Sequence, residues 1–371
     1  MCAGCRGLKL ADGSPGSNAA VVDGTRDANI SARTAVALLA GVAMIVGLSV
    51  NFLRADSHVE HGNVAFDISP DGERILFSAA DGDLYLLHLK TSHVLRLTKT
   101  AATETTPAFS PDGRSLAYAG DIPGSKGRFI FVRSLDGKQV QQLPNDSDVS
   151  DSGPSYSPDG SQIVFARADR YRPYSMGGWT WDDWDVCVMR PDGTQVRRIT
   201  QQKYRDLVAP KFSRDGKAVV YSAAADRRQK DLTATVFRVD ASGGQLPKPL
   251  TKDRPMVEKR GAWASGPDGS PDGSHIVFIS DRVVPYHYDV FIMNWDGTNP
   301  WPLGVSNISR YNPSPVFMPD GKGVLSLAGT EWNAGSRALF SLWQVDTEGK
   351  KPRRIADSGL FTNPSSWKPK R

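Results

Sequence analysis

The stretch Gly261–Phe278, GAWASGPDGSPDGSHIVF, contains a Pro-Asp-Gly turn signal twice in succession. In such a turn, proline presets φ at the first corner, aspartate accepts backbone N–H groups, and glycine takes the positive φ that a hairpin needs. The second copy, Ser270–Gly273, precedes the strand-like run HIVF, so we predict that it forms a hairpin turn. We predict that the first copy, Gly266–Gly269, lengthens the same hairpin loop by four residues, which costs little closure entropy.

The turn string of Ser270–Gly273 recurs along the chain, in some copies with one letter changed. Successive copies begin at least 41 residues apart (69 to 110) and at most 57 residues apart (213 to 270). A repeat of this size with several strands per unit is typical of a β-propeller blade. The copies are Ser69–Gly72, Ser110–Gly113, Ser157–Gly160, Ser213–Gly216, Ser270–Gly273 and Met318–Gly321.

Each repeat has the pattern of four short strands. A first-strand run such as PAFS precedes the turn, and an alternating second-strand run such as SLAYAG follows it. The third strand is represented by DVFIMNW, the second turn by WDGT and the fourth strand by VRRITQ. Period-two alternation between tight turns favours antiparallel strands. We therefore predict an all-β fold over residues 63–371, a six-bladed β-propeller with four-stranded antiparallel blades. The tail Asn363–Pro369 is predicted to be a closing strand that pairs with blade one.

The segment Thr34–Leu53 contains about twenty residues without a charge. At ~1.5 Å per residue, a helix of this length can cross a hydrocarbon core of ~30 Å. We therefore predict one transmembrane helix, a signal anchor at 34–53, between a disordered polar tail (1–33) and a linker (54–62). Because Arg26 and Arg33 precede the apolar run, the N-terminus is expected in the cytoplasm and the propeller on the periplasmic or extracytoplasmic side. If the run is instead a cleaved signal peptide, the propeller is secreted.

The composition narrows the possible functions. The net charge of +5 comes from interspersed acids and bases, which does not indicate a nucleic-acid partner. A single CxxC, Cys2 to Cys5, is a weak metal or redox signal, and the acids near Asp182 lack the spacing of a calcium loop. We expect neither a metal nor another cofactor.

The repeats resemble the TolB-type propeller repeat, a relative of the WD-repeat blade. The resemblance lies in the SPDG turns, the apolar second strands, the segments IMNWDGT and VMRPDGT, and the closing Leu-Thr or Ile-Thr of the fourth strands. It extends from about Asn63 to Lys368 and implies a propeller. Proteins with such repeats serve as scaffolds, as appendages of enzymes and sometimes as enzymes, so function must be argued from the site.

The loops between second and third strands vary most in length and composition, and variable loops on a rigid scaffold commonly carry binding residues. The longest, Arg167–Asp185, combines tryptophan, tyrosine and arginine, which suit peptide or sugar surfaces. The alternative is that this loop packs its own tryptophans over the neighbouring blade, with its acids in salt bridges. The candidate binding residues are Arg170, Tyr171, Arg172, Tyr174, Trp181, Asp182, Trp184, Arg282, Tyr286, His287, Arg310, Tyr311 and Trp332.

These observations favour a membrane-anchored, exported propeller that binds a protein or peptide partner, or a glycan, without catalysis of its own. The alternative is a carbohydrate-active enzyme, a polysaccharide lyase or hydrolase, with its site at the channel mouth. No G-x-S-x-G motif is present, and we assign no catalytic residue. Four of the six histidines, which precede or belong to blade one, do not form a convergent cluster: His58, His61, His88 and His93.

Overall fold

A computed structural model describes residues 64–146, 148–173, 178–224, 234–251, 256–257, 260–284, 287–305, 314–331 and 339–369. The predicted tail (1–33), transmembrane segment (34–53) and linker (54–62) lie outside these ranges. Within the ranges, no helix has the length and apolar character needed to cross a membrane.

The described chain forms six four-stranded antiparallel sheets, each built from consecutive strands, together with a two-stranded ladder, β17 and β18. This confirms the prediction of a six-bladed all-β propeller. The strands are β1 (Phe66–Ile68), β2 (Arg74–Ser78), β3 (Leu84–His88) and β4 (His93–Arg96) in blade one; β5 (Glu104–Phe109), β6 (Ser115–Asp121), β7 (Arg128–Ser134) and β8 (Val140–Gln142) in blade two; β9 (Ser150–Tyr156), β10 (Ile163–Pro173), β11 (Trp179–Met189) and β12 (Arg197–Arg198) in blade three; β13 (Asp206–Phe212), β14 (Ala218–Ala224), β15 (Ala234–Asp240) and β16 (Lys248–Pro249) in blade four; β17 (Met256–Val257) and β18 (Arg260–Gly261) in the connection that follows; β19 (Ala264–Gly269), β20 (His275–Val284), β21 (His287–Asn294) and β22 (Trp301–Pro302) in blade five; and β23 (Val316–Phe317), β24 (Gly323–Glu331), β25 (Leu339–Asp346) and β26 (Arg353–Ala356) in blade six.

The repeated turns form a ring. In blade two, the Gly113 N–H donates to the Ser110 carbonyl over 2.9 Å, and the Ser110 hydroxyl donates to Asp112 over 2.6 Å. Gly113 has φ of +68° and lies against Pro70 of the preceding blade. The same contact between a turn glycine and the preceding blade's turn occurs around the whole circle, including the junction of blades six and one. The contacts are Gly72–Pro319, Gly113–Pro70, Gly160–Pro111, Gly216–Pro158, Gly273–Arg214 and Gly321–Pro271.

The first Pro-Asp-Gly copy in blade five is a bulged strand. Ser265 pairs with Ile279 and Asp268 pairs with Val277, so two residues, Gly266 and Pro267, lie opposite the single residue Phe278. Strand β5 has an equivalent irregularity at 106–107. Gly266 takes φ of +61° and proline donates no ladder hydrogen bond, so the pair suits a bulge. The prediction that this copy lengthens the hairpin loop is therefore wrong.

The hydrophobic core lies between adjacent blades. At the junction of blades one and six, Phe77 packs in one cluster with Leu327 and with Leu360 and Phe361 of the C-terminal tail. Similar clusters join blades three and four and blades four and five. Burial therefore couples each blade to its neighbours, as expected for a repeat that cannot bury both faces of its own sheet.

The C-terminal tail differs from its prediction. It forms a single helical turn, α1 (Gly359–Thr362), and a 3₁₀ turn (Pro364–Ser366), instead of a closing strand. Blade one already has four strands of its own, and they come from one continuous segment, which removes the need for a strand from the tail. The tail still contacts blade one, because the Ala80 N–H donates to the Phe361 carbonyl over 3.0 Å and Phe361 packs edge-on against Phe77.

Candidate partner-binding face

The antiparallel order of strands gives the propeller two different faces. One, the turn face, carries the turns between first and second strands and between third and fourth strands. The other, the hairpin face, carries the links between second and third strands. The channel mouth on the turn face encloses about 200 Å³ and is lined by first strands and turns, including Asp67, Phe109, Tyr156, Phe212 and Arg214.

The predicted blade-three loop is mainly an extended hairpin on the hairpin face. Strands β10 and β11 stay paired from Ile163–Met189 as far as Pro173–Trp179. The long run of alternating polar and aromatic residues continues the ladder beyond the edge of the blade. Much of the variable segment is therefore held rigidly by backbone hydrogen bonds.

Three of the candidate binding residues are buried within this hairpin. Trp181 is 6% exposed, and its Nε1 donates to the Lys126 carbonyl over 2.9 Å. Trp184 belongs to the core between blades three and four. Asp182 is buried and forms an ion pair with Arg172. These contacts agree with the alternative that the loop packs its own tryptophans against the neighbouring blades. Trp181, Asp182 and Trp184 therefore do not belong to an exposed surface.

The exposed part of the hairpin carries a stacked aromatic pair. Tyr171 and Trp179 stack with ring centroids 5.1 Å apart, and Trp179 is 58% exposed. The Lys126 ammonium lies 5.7 Å from the Tyr171 centroid, and the Arg170 guanidinium lies 4.0 Å from Asp183. We call Lys126, Tyr171 and Trp179 the blade-three surface, because Arg170, next to Tyr171 along β10, projects from the opposite side of the strand. It presents aromatic rings beside positive charge.

Two members of this surface are absent from the sequence-based candidates. Trp179 and Trp181 are two residues apart and project from the same face of β11, so period-two alternation does not tell which of them is exposed. Lys126 comes from blade two, and nothing in its local sequence indicates contact with blade three.

Blade five places two further candidates on the hairpin face. The Arg282 guanidinium lies 5.5 Å from the Phe278 ring centroid and 5.3 Å from that of Phe291, and burial lowers its pKa. His287 is exposed where β21 begins. Val283 and Val284 beside them are also exposed. The remaining candidates, Tyr174, Tyr286, Arg310, Tyr311 and Trp332, lie outside the described residues.

Charged residues of the first strands meet around the channel. Asp67 accepts the Phe109 N–H over 2.8 Å, and Asp268 accepts the Phe317 N–H over 2.9 Å, so each joins its blade to the next. Burial raises the pKa of Asp268 to about 6, the positive charge of Lys211 opposes that shift, and the negative charge of Asp67 adds to it. Across the described ranges, no three histidine, cysteine or acidic side chains are placed to hold a metal ion.

Comparison with known proteins agrees with this architecture. The family PD40, the TolB beta propeller domain, matches residues 45–174. The Tol-Pal system protein TolB of Francisella tularensis is 26% identical over 296 residues, which cover 78% of this chain and 59% of that protein. The chain therefore spans less than two thirds of this relative.

Solved structures share the fold. TolB from Acinetobacter baumannii has a TM-score of 0.55 and 20% identity, covering 78% of this chain and 62% of that one. Oligogalacturonate lyase from Vibrio parahaemolyticus has a TM-score of 0.55 and 14% identity, covering 80% and 78%. The fold defines a repeat protein of the β-propeller class. Together with the family match and the TolB relatives, it identifies the chain as a TolB-like six-bladed β-propeller.

Proposed function

We propose that this chain is an exported propeller, anchored in the membrane through residues 34–53, that binds a protein or peptide partner and has no catalysis of its own. The observation that carries the proposal is the blade-three surface. A tryptophan that is 58% exposed and stacked on a tyrosine, whose ring also contacts the ammonium of Lys126, is typical of a residue that contributes strongly to protein binding.

The geometry of this surface supports binding of a protein partner. Its aromatic rings stand on paired strands, so little conformational entropy is lost when they contact a partner. The ammonium of Lys126 favours an acidic group beside the rings. The Francisella relative is named as a protein of the Tol-Pal system, which also supports a protein partner.

Capture of partners from membrane extracts tests the proposal. Trp179→Ala is expected to weaken capture by about tenfold or more, since exposed aromatic anchors contribute about 2 kcal/mol or more. The matched control is Leu246→Ala, which removes an exposed apolar side chain, 83% accessible, that follows β15 on the turn face. Equal capture by Trp179→Ala and the unmodified chain would remove the blade-three surface from the proposal.

Fractionation of cells tests the membrane anchor. The propeller is expected in the membrane fraction and to be digested by protease added outside the cytoplasmic membrane. A chain shortened to begin after residue 53 is expected to lose membrane association. Recovery of the intact chain only in the cytoplasm would contradict the anchor and its orientation.

A second candidate function is action on a carbohydrate in the channel. The observation that favours it is a pair of interacting carboxylates, Asp67 in the lining of the channel mouth and Asp268, whose pKa is about 6. A carboxylate with a raised pKa can act as a general acid or base. Turnover of a polysaccharide by the purified chain, lost in Asp268→Asn, would support this function over binding alone.

A further inference from the structure

Three aspartates occupy the same position in blades one, three and five. Each lies two residues before the first residue of the third strand that pairs with the fourth strand. The pairs are Tyr85–Arg96 after Asp83, Cys187–Arg198 after Asp185, and Phe291–Pro302 after Asp289. The three carboxylates can therefore be compared directly.

In blades one and three, the fourth strand supplies a guanidinium to this aspartate. Asp83, 1% exposed, forms an ion pair with Arg96 and accepts the Thr100 N–H over 3.2 Å. Asp185, also 1% exposed, lies 3.1 Å from an Arg198 nitrogen and accepts the Thr200 hydroxyl over 2.7 Å. Buried carboxylates of this kind depend on such partners.

In blade five, the corresponding donors are missing. Pro302 stands where blades one and three have arginine, and Gly304 stands where blade three has Thr200. Asp289 Oδ1 is buried without a hydrogen-bond partner. The hydroxyl of Ser280, which is fully buried and pairs directly across from Asp289, also lacks a partner. Cross-strand neighbours project from the same face, so these two unpaired groups are adjacent.

No cation described nearby forms an ion pair with this carboxylate. The Arg282 guanidinium instead lies over the rings of Phe278 and Phe291. Burial raises the pKa of Asp289 to about 6, and the charge of His287 opposes that shift without a hydrogen bond. Among the described residues, blade five thus keeps this aspartate, partly buried with its Oδ1 fully buried, and lacks the guanidinium that accompanies it in blades one and three.

We propose that Asp289 and Ser280 form a binding site for a guanidinium group, the side chain of an arginine supplied by a partner polypeptide. This group would take the place that Arg96 and Arg198 hold in blades one and three. Asp289 accepts its charged N–H groups, and Ser280 accepts a further one. Only the origin of the arginine in a partner rests on the proposed function.

Calorimetric titration of the full chain with Nα-acetylarginine N-methylamide tests the site, with the citrulline analogue as a neutral probe of the same shape. We expect saturable binding of the arginine probe and binding of the citrulline probe that is weaker by about tenfold or more, because a charged hydrogen bond to a carboxylate is lost. Asp289→Asn is expected to weaken arginine binding by a similar factor.

Two further variants show whether the arginine probe binds at Asp289. Pro302→Arg restores the internal guanidinium and should block the probe. Glu348→Gln removes an exposed acid from blade six and should leave binding unchanged. Equal affinity for both probes, absence of saturable binding, or unchanged binding in Asp289→Asn would overturn the site. If Pro302→Arg does not fold, the comparison of Asp289→Asn with Glu348→Gln decides whether the probe binds at this site. Partner capture through Trp179 is measured separately, so either proposal can fail alone.

Discussion

At the scale of single residues, the turn glycines carry a backbone requirement that other residues meet poorly. Gly113 has φ of +68°, a region that costs an L-residue with a Cβ about 1 kcal/mol. We expect Gly113→Ala to lower the melting temperature by about 2 °C. Gly113→Asn is the matched control, because asparagine tolerates this region, and it should lose less. A melt of Gly113→Ala identical to that of the parent would contradict the turn assignment.

The carboxylate of Asp268 makes stability depend on pH. Its folded pKa of about 6 lies above the ordinary aspartate value of 3.8, so ionisation is unfavourable in the folded state. The resulting loss of stability is absent at low pH, grows as pH rises through the folded pKa, and is complete above it.

Asp268→Asn removes this ionisation and keeps an oxygen that can accept the Phe317 N–H. We expect the variant to be more stable than the parent by about 1–2 kcal/mol at pH 8 and equal to it at about pH 3, below both pKa values. Thermal melts across this range measure the difference. Glu348→Gln, at an exposed site, should show no such trend. A gap for Asp268→Asn that does not vary with pH would contradict ionisation of a buried carboxylate as the cause.

At the scale of elements, we expect a glycine substitution in the bulge of β19 to destabilise the fold more than one in a hairpin turn. A Cβ on Gly266 would lie 3.0 Å from the Ser314 Cα, which is backbone and cannot rotate away, and φ is +61°. We expect Gly266→Ala to cost about 2 kcal/mol or more, measurably more than Gly113→Ala. The two melts compare directly. If Gly266→Ala proved the milder change, the bulge geometry would be wrong.

The strands of the blades could be predicted from the sequence because their signals are local. Proline, aspartate and glycine determine a tight turn within four residues, and alternation determines a strand. The function of Gly266–Gly269 could not be predicted in this way, since the same letters suit a turn and a bulge. Which of Trp179, Trp181 and Trp184 would be exposed depends on contacts with blade two and blade four, which no local pattern contains.

At the scale of the whole molecule, the tail joins the last blade to the first. Leu360 and Phe361 are buried in the cluster that joins blades one and six. Deleting Ser358 onward is expected to expose this apolar seam, so the protein should aggregate and melt at a lower temperature. Light scattering and thermal melts measure both effects.

The matched control for this deletion removes only Lys368–Arg371 and keeps both buried side chains, together with Trp367. This shorter deletion should neither cause aggregation nor lower the melting temperature. A chain ending at Asp357 that stays monomeric with an unchanged melt would show that the circle closes without the tail.

Each blade is built from one uninterrupted stretch of chain, and the tail that follows blade six touches blade one. The start and the finish of the propeller are therefore neighbours in space. A circularly permuted chain that begins in any surface turn, with a short linker joining the original ends, should form the same propeller. Such a rearrangement would let an experimenter choose which blade lies next to a domain fused to either end of the chain.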